Sequence, residues 1–209
     1  MRDGIKTDEP EKKSRGRPRA YEPETALRQA AEAFWKTGYS GTSLDDISAA
    51  TGMNRPSLRA AFGDKRELYL KALGDYWERQ FVVMDEALRD EASLADSLMR
   101  IYEASLSIYF SNEDQALGCF VVGTAITEAP GDAEIREIVA TGLRELDAGF
   151  ETRIKRARSA GELDADADPK ALALLASATL HSLAVRARAG SPRSELKKLA
   201  RKAVAIICR

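Results

Sequence analysis

The stretch TSLDDISAATGMNRPSLRAAFGDK, Thr42 to Lys65, decides the fold of this 209-residue chain. It reads as two short helices joined by a glycine-centred turn, with a third helix opening behind them. Thr42 or Ser43 can cap the first, with Asp45 or Asp46 three residues on as a short capping box. Leu44, Ile47 and Ala50 are its apolar positions. Gly52 supplies a turn residue without a Cβ, and Met53 plugs the turn into the core. Asn54 caps the next helix, and Pro56 falls in its first turn, where a missing N–H does no harm. Leu58 and Phe62, four apart, anchor that helix inward and leave Arg55, Ser57 and Arg59 facing out. Two helices in this relation form a helix-turn-helix, whose second helix lies in the major groove of DNA.

Upstream, Ala26, Ala30 and Phe34 form one i, i+4 row and Leu27, Ala31 and Trp35 the adjacent one. A first helix therefore buries one face, and Gly38 ends it. Residues 1–20 combine charge, Gly and Pro with almost no apolar residue and read as a disordered basic arm. Downstream, Asp64 caps a long fourth helix through Leu68, Tyr69, Leu73, Tyr76 and Trp77. Helices are expected over roughly 65–90, 94–111, 115–128, 132–160, 169–189 and 192–207. The breaks are Ser93, Asn112, Pro130-Gly131, Gly161 and Gly190-Ser191-Pro192. The sequence has no useful strand alternation and no internal repeat. The expected fold class is all-α, with three units: the arm over 1–20, a three-helix helix-turn-helix domain over 21–65, and a larger helical domain over 66–209, to which the resemblance given below adds ligand binding and dimerisation.

A hydrophobic content of 44% with 31% charged residues is ordinary for a globular chain. No apolar run reaches the ~18 residues needed to span a bilayer, and the N-terminus lacks the apolar core of a secretory signal. Cys119 and Cys208 are far apart without CxxC spacing, which argues against a disulfide framework and a structural zinc site. Cytoplasmic residence, with no membrane partner, is the default expectation. The net charge of −1 conceals segregation. Lys12, Lys13, Arg15, Arg17 and Arg19 cluster without an acid among them, while Asp164, Asp166 and Asp168 lie far downstream.

The order and spacing of Phe34, Gly38-Tyr39, Thr42-Ser43-Leu44, Ile47-Ser48, Gly52-Met53, Leu58 and Phe62-Gly63-Asp64-Lys65 resemble the TetR family of bacterial one-component regulators. The resemblance is specific over about residues 21–75 and only architectural beyond residue 80. It implies a homodimeric repressor on an inverted-repeat operator in double-stranded DNA, released when a small-molecule effector enters the C-terminal domain. Control by cysteine oxidation or by a protein partner is the alternative. The resemblance carries Thr42 and Ser43 over as phosphate contacts, Asn54, Arg55, Ser57 and Arg59 as the outward face of the recognition helix, and Lys65 as a phosphate-gripping lysine. The chain departs from the family at Arg59-Ala60-Ala61, where many relatives carry Tyr and then often His. A guanidinium there reaches either a phosphate or a guanine edge. Arg15-Gly16-Arg17-Pro18-Arg19 also resembles the core of an AT-hook, slim enough to enter a narrow A·T minor groove.

Other candidates are weaker. Trp77, Phe81, Tyr102, Tyr109, Phe110 and Phe120 fall on the helices expected to wall a ligand pocket, although core packing explains each one singly. Cys119 opens the apolar run CFVV, either as a redox-sensing thiol or as a small buried hydrophobe. No cation beside it in sequence would stabilise a thiolate. His181, the sole histidine, reads as buried and hydrogen-bonded or as an interface residue; it offers no metal site and no base–nucleophile pair. The acidic pairs read as caps. Neither GxGxxG nor GxxxxGK[ST] occurs. No cofactor, no metal and no enzymatic activity are expected. The long apolar rows Ile135, Ile138, Leu143, Leu146, Phe150 and Leu172, Leu175, Ala176, Leu180, Leu183 suit a four-helix bundle with a partner subunit.

Overall fold

A computed structural model describes residues 22–89, 91–112 and 115–209. Among them the chain is all-α, with no strand. The basic arm, with Arg15, Arg17 and Arg19, lies outside the described residues. The first four helices are α1 (Pro23–Gly41), α2 (Leu44–Thr51), α3 (Arg55–Phe62) and α4 (Lys65–Arg89). They are followed by α5 (Leu94–Tyr109), a π-helical segment (Val121–Ala125), α6 (Ile126–Glu128), α7 (Ala133–Ser159), α8 (Pro169–Arg188) and α9 (Arg193–Ile207).

Local chemistry sets the boundaries of the short helices. Ser43 and Asp46 form a reciprocal capping box: the Ser43 hydroxyl accepts from Asp46 N–H at 3.1 Å, and Ser43 N–H donates to the Asp46 carboxylate at 2.8 Å. Gly52 ends α2 with φ at 65°, the left-handed region that a Cβ disfavours. Asn54 caps α3 by accepting from Ser57 N–H at 2.9 Å. Asp64 and Glu67 cap α4 with two 2.8 Å bonds to each other's backbone N–H groups. Asp132 and Asp168 cap α7 and α8, so these acidic residues act as helix starts.

Buried side chains gather into two clusters. The first holds α1–α3 together through Phe34, Ile47, Met53, Leu58 and Phe62 and takes Leu68, Tyr69, Leu73 and Tyr76 from the first half of α4. It continues onto Phe120, Val121 and Ala125, and onto Ile135 and Val139 at the start of α7. The second cluster takes Met84 and Leu88 from the far half of α4 and joins them to α5, α7, α8 and α9. Burying one Leu or Phe side chain fully is worth about 1.5–3 kcal/mol, so each cluster is a real source of stability. Helix α4 lies against α7, where two glycines admit it. A Cβ at Gly142 would come within 2.2 Å of the Trp77 ring, and one at Gly149 within 2.2 Å of the Met84 methyl.

One expected helix is shorter than its apolar pattern suggested. Of residues 115–128, helical geometry begins only at about Phe120, and its first turn is π-helical. The cause is tertiary. Leu117 N–H turns back to the Tyr109 carbonyl at 2.9 Å, Gly118 adopts φ 67°, and the Leu117 carbonyl accepts from Trp35 on α1 and from Arg188 on α8.

Candidate DNA-binding face and interior cavity

The headpiece, α1–α3 with the start of α4, presents a basic face built on buried anchors. Leu58 and Phe62 are buried, so Asn54, Arg55 and Arg59 are exposed and Ser57 is half-buried on the opposite side of α3. The Arg59 side chain makes no hydrogen bond or ion pair to any described residue, while its carbonyl accepts from Gly63 N–H at 3.0 Å. Lys71 Nζ donates to the Phe62 carbonyl at 2.9 Å and so closes the C-terminal end of α3. Lys65, at the first position of α4, places its ammonium 4.4 Å from the Tyr39 ring centroid, a cation–π contact that holds the charge in place.

Two sequence assignments on this face change. The Thr42 side chain is buried, only 1% exposed, and donates to the Gly38 carbonyl at 2.6 Å, with Thr37 Oγ1 at 2.8 Å. It closes the α1–α2 corner and is out of reach of a phosphate; the exposed residue there is Ser43. Arg55 is exposed but engaged. Its Nε and Nη2 grip Asp45 at 2.8 and 2.5 Å, tying the start of α3 to the first turn of α2. That carboxylate offsets the Arg55 charge; among the described residues, Arg59 and Lys65 are the cations of this face without a carboxylate partner. The pairing of Asp45 with Arg55, ten residues apart, had no local signal. Only the angle between α2 and α3 brings them together.

Behind the headpiece, α4, α5 and α8 enclose a cavity of about 40 Å³, large enough for a water or two. Trp77, Phe81 and Tyr109 line it, together with Tyr76, Cys119 and His181. Tyr102 and Phe120 do not. Tyr102 is fully buried among α5, α8 and α9, with its hydroxyl donating to the Ala176 carbonyl at 3.1 Å. Phe120 belongs to an aromatic cluster with Trp35, Tyr69 and Tyr76, at centroid distances of 5.7, 5.8 and 5.6 Å. Phe110 also lies off the cavity wall and packs against the second cluster. The reason is position along the helix. Tyr102 and Tyr109, seven apart, share a face of α5, but Tyr102 lies about two turns nearer its start, where its hydroxyl meets the Ala176 carbonyl of α8, whereas Tyr109 lies level with the cavity.

The cavity is apolar but for a few groups. Gln80, Ser105 and His181 reach its wall, and the neighbouring Trp77 Nε1–H is buried with no acceptor among the described residues. Burial holds the His181 imidazole below its ordinary value of 6.5, opposed by the nearby Asp147 carboxylate. Asp147 itself accepts from the Ser177 hydroxyl. Cys119 Sγ accepts from the Tyr76 hydroxyl at 3.4 Å, and burial pushes its thiol up from the ordinary value. Burial likewise raises Tyr76 and Tyr109 well above a free phenol. Sequence reading missed Tyr76 as a cavity residue. Its position one before Trp77 on an already apolar face was the available signal. Among the described residues no group of three His, Cys, Asp or Glu is placed to hold a metal ion, and no helix is long and apolar enough to cross a membrane.

Comparison with known proteins agrees with this layout. The profile of bacterial regulatory proteins of the tetR family matches residues 26–72, and that of a tetracyclin repressor-like C-terminal domain matches residues 95–203. The chain is 28% identical to the HTH-type transcriptional repressor ComR of Escherichia coli (strain K12) over 189 residues, covering 90% of each protein. It is 30% identical to the HTH-type transcriptional regulator YezE of Bacillus subtilis (strain 168) over 159 residues, or 76% of this chain and 81% of YezE. Among solved structures, a cysteine mutant of the TetR family regulator CifR, in complex with 26-bp double-strand operator DNA, matches at 30% identity with a TM-score of 0.80. That match covers 90% of this chain and 98% of CifR. With matching profiles over both halves, the chain belongs to the TetR family of DNA-binding transcriptional regulators.

Proposed function

We propose that the chain is a homodimeric repressor that binds an inverted-repeat operator and is released when a small molecule enters the cavity between α4, α5 and α8. The observation that carries this reading is the position of Tyr76. Its ring belongs to the headpiece cluster, yet it also walls the cavity and bonds Cys119. A guest that enlarges so small a cavity must press on a side chain of the DNA-binding half. A differential affinity of ~1–3 kcal/mol between the two states would change operator affinity ~5- to 150-fold. The effector we infer is small, largely apolar and uncharged, with an acceptor for the Trp77 N–H or a group for His181, Gln80 or Ser105.

The units are the arm over 1–20, the DNA-reading unit over 21–65 and the effector and dimerisation unit over 66–209, with α4 shared between the latter two. Dimerisation is supported by α8, which exposes Leu174, Leu175 and Val185 on a helix whose other sides pack on α5, α7 and α9. A two-fold dimer on these helices would set two recognition helices one DNA turn or a multiple apart. We assign DNA contacts to Ser43, Asn54, Arg55, Ser57, Arg59 and Lys65, and minor-groove contacts to Arg15, Arg17 and Arg19. Effector control is favoured over oxidation because the partly buried Cys119 thiol faces an apolar cavity that pushes its ionisation up, whereas reactive thiols are exposed thiolates.

The test is a fluorescence anisotropy titration on an operator selected by this protein from a random duplex pool, repeated with a library of small apolar compounds. A compound that weakens operator binding and loses its effect in Tyr76→Phe or His181→Gln supports the reading. Loss of DNA binding only on treatment with oxidant, abolished by Cys119→Ser, would transfer control to the thiol.

A further inference from the structure

The headpiece is fastened to the rest of the molecule at more points than α4 alone. Arg188, on the last turn of α8, directs Nη1 to two backbone carbonyls: Trp35 on α1 at 3.2 Å and Leu117 at 2.9 Å. Trp35 Nε1 donates to the same Leu117 carbonyl at 3.2 Å, so α1, α8 and the connecting loop meet at one atom. Two glycines clear the space. A Cβ at Gly123 would lie 2.9 Å from Arg188 Nη1, and one at Gly118 would lie 2.6 Å from the Ala184 carbonyl oxygen. On another side, Arg66 grips Asp132, the N-cap of α7, at 2.6 and 2.9 Å and reaches Glu134 at 2.9 Å. The Arg66 guanidinium beside it holds the Asp132 carboxyl well below the usual carboxylate range.

These bridges reach the two helices that pack most closely on each other, at the same end of the pair: the start of α7 and the finish of α8. The Arg66 bridge leaves α4 from its first turn, and the Arg188 bridge is independent of α4. A buried apolar cluster joins the headpiece to the π-helical segment and α7 without fixing direction sharply, whereas two charged bridges at separate points on its rim can. Both bridges are partly exposed to water and therefore contribute little to stability. What they can supply is direction. We propose that Arg188 and Arg66 set the angle at which each headpiece is presented to DNA, and so fix the half-site spacing the protein accepts. This rests on the α7–α8 dimer proposed above.

The experiment uses full-length protein and an operator selected from a random pool, rebuilt with the half-sites moved apart or together by one and two base pairs. Affinity is measured at each spacing for wild type, Arg188→Ala, Gly123→Ala, Arg66→Ala and Lys65→Ala. Gly123→Ala keeps every donor and charge and displaces only the far end of a flexible side chain, so it tests the geometry without a lost cation. The clamp predicts that Arg188→Ala, Gly123→Ala and Arg66→Ala lose roughly tenfold at the best spacing, about what one charged hydrogen bond is worth. They should lose much less one base pair away, flattening the profile. Lys65→Ala should lower affinity by one factor at every spacing. Parallel profiles for the clamp variants, or no loss at all, overturn the proposal. Sedimentation separates it from the reading beneath it. A wild type that is monomeric both free and on DNA overturns the dimer and the clamp together, and a dimeric wild type with parallel profiles overturns the clamp alone.

Discussion

The two halves of this molecule arrange polar groups in opposite ways. The headpiece buries aromatic rings (Phe34, Tyr69 and Tyr76 with Phe120 against them) and turns Asn54, Arg55 and Arg59 to the outside. The larger half keeps Gln80, Ser105, Cys119 and His181 against an interior cavity, although apolar residues would fill the space more cheaply. Buried polar groups cost free energy unless partnered, so they persist where a guest or a bond requires them. Under the proposed function the outward face meets a large charged polymer and the inward one something small. Tyr76 is where the two designs touch.

The largest expected effect tests whether the halves are separable at all. Phe34→Ala removes a fully buried ring from the headpiece and should destabilise the protein by about 3–5 kcal/mol. Because its cluster runs onto α7 and the π-helical segment, urea unfolding followed by circular dichroism and by tryptophan fluorescence should remain one transition. Two transitions would mean that the headpiece unfolds by itself and that the contrast is between independent domains.

Next comes the outward face. Arg59→Ala should cost about 1–3 kcal/mol of operator binding if the guanidinium reads a base edge, and the loss should fall on one operator position. A loss spread evenly over all sequences, with the salt slope reduced by about one, assigns Arg59 to a phosphate instead.

The inward face predicts a pH effect. The folded pKa of His181 lies below the ordinary 6.5. Between those two values the unfolded chain binds a proton that the folded chain does not, so stability falls as pH drops through about 6.5. The melting temperature should therefore decrease from pH 7.5 to 5.5 by less in His181→Gln than in wild type. An equal decrease in both would show that the imidazole titrates normally.

The smallest effect has an unusual sign. Asp45→Ala removes the acid that holds Arg55 and should tighten DNA binding by roughly two- to fivefold in anisotropy at low salt. Weaker binding would mean that Asp45 serves to orient Arg55 and does not compete with DNA for it.

Much of the headpiece was legible because its instructions are local. Ser43 with Asp46, Gly52, Asn54 and Asp64 with Glu67 each act within three or four residues, and helices α2 and α3 begin and end where those residues say. Thr42 misled for the same reason. Its neighbours suit a phosphate contact, but the packing of α1 buries its hydroxyl. In the larger half, most helix lengths were readable from periodicity, the segment before Phe120 excepted, while the cavity wall was not. Tyr102 and Tyr109 share a face of α5, and only where α8 packs along that helix puts one in the core and the other at the cavity.

By itself, then, the sequence determined the all-α fold, the helix-turn-helix and the outward face of its second helix, since caps, turns and periodicity act over one or two turns of chain. Tertiary structure alone decided that Asp45 takes Arg55, that Cys119 lies under Tyr76, and that Arg188 reaches back 153 residues to Trp35. Contacts of that range depend on how whole helices rotate and cross. The energies that fix those angles are sums over many buried side chains, and no short stretch of sequence contains them.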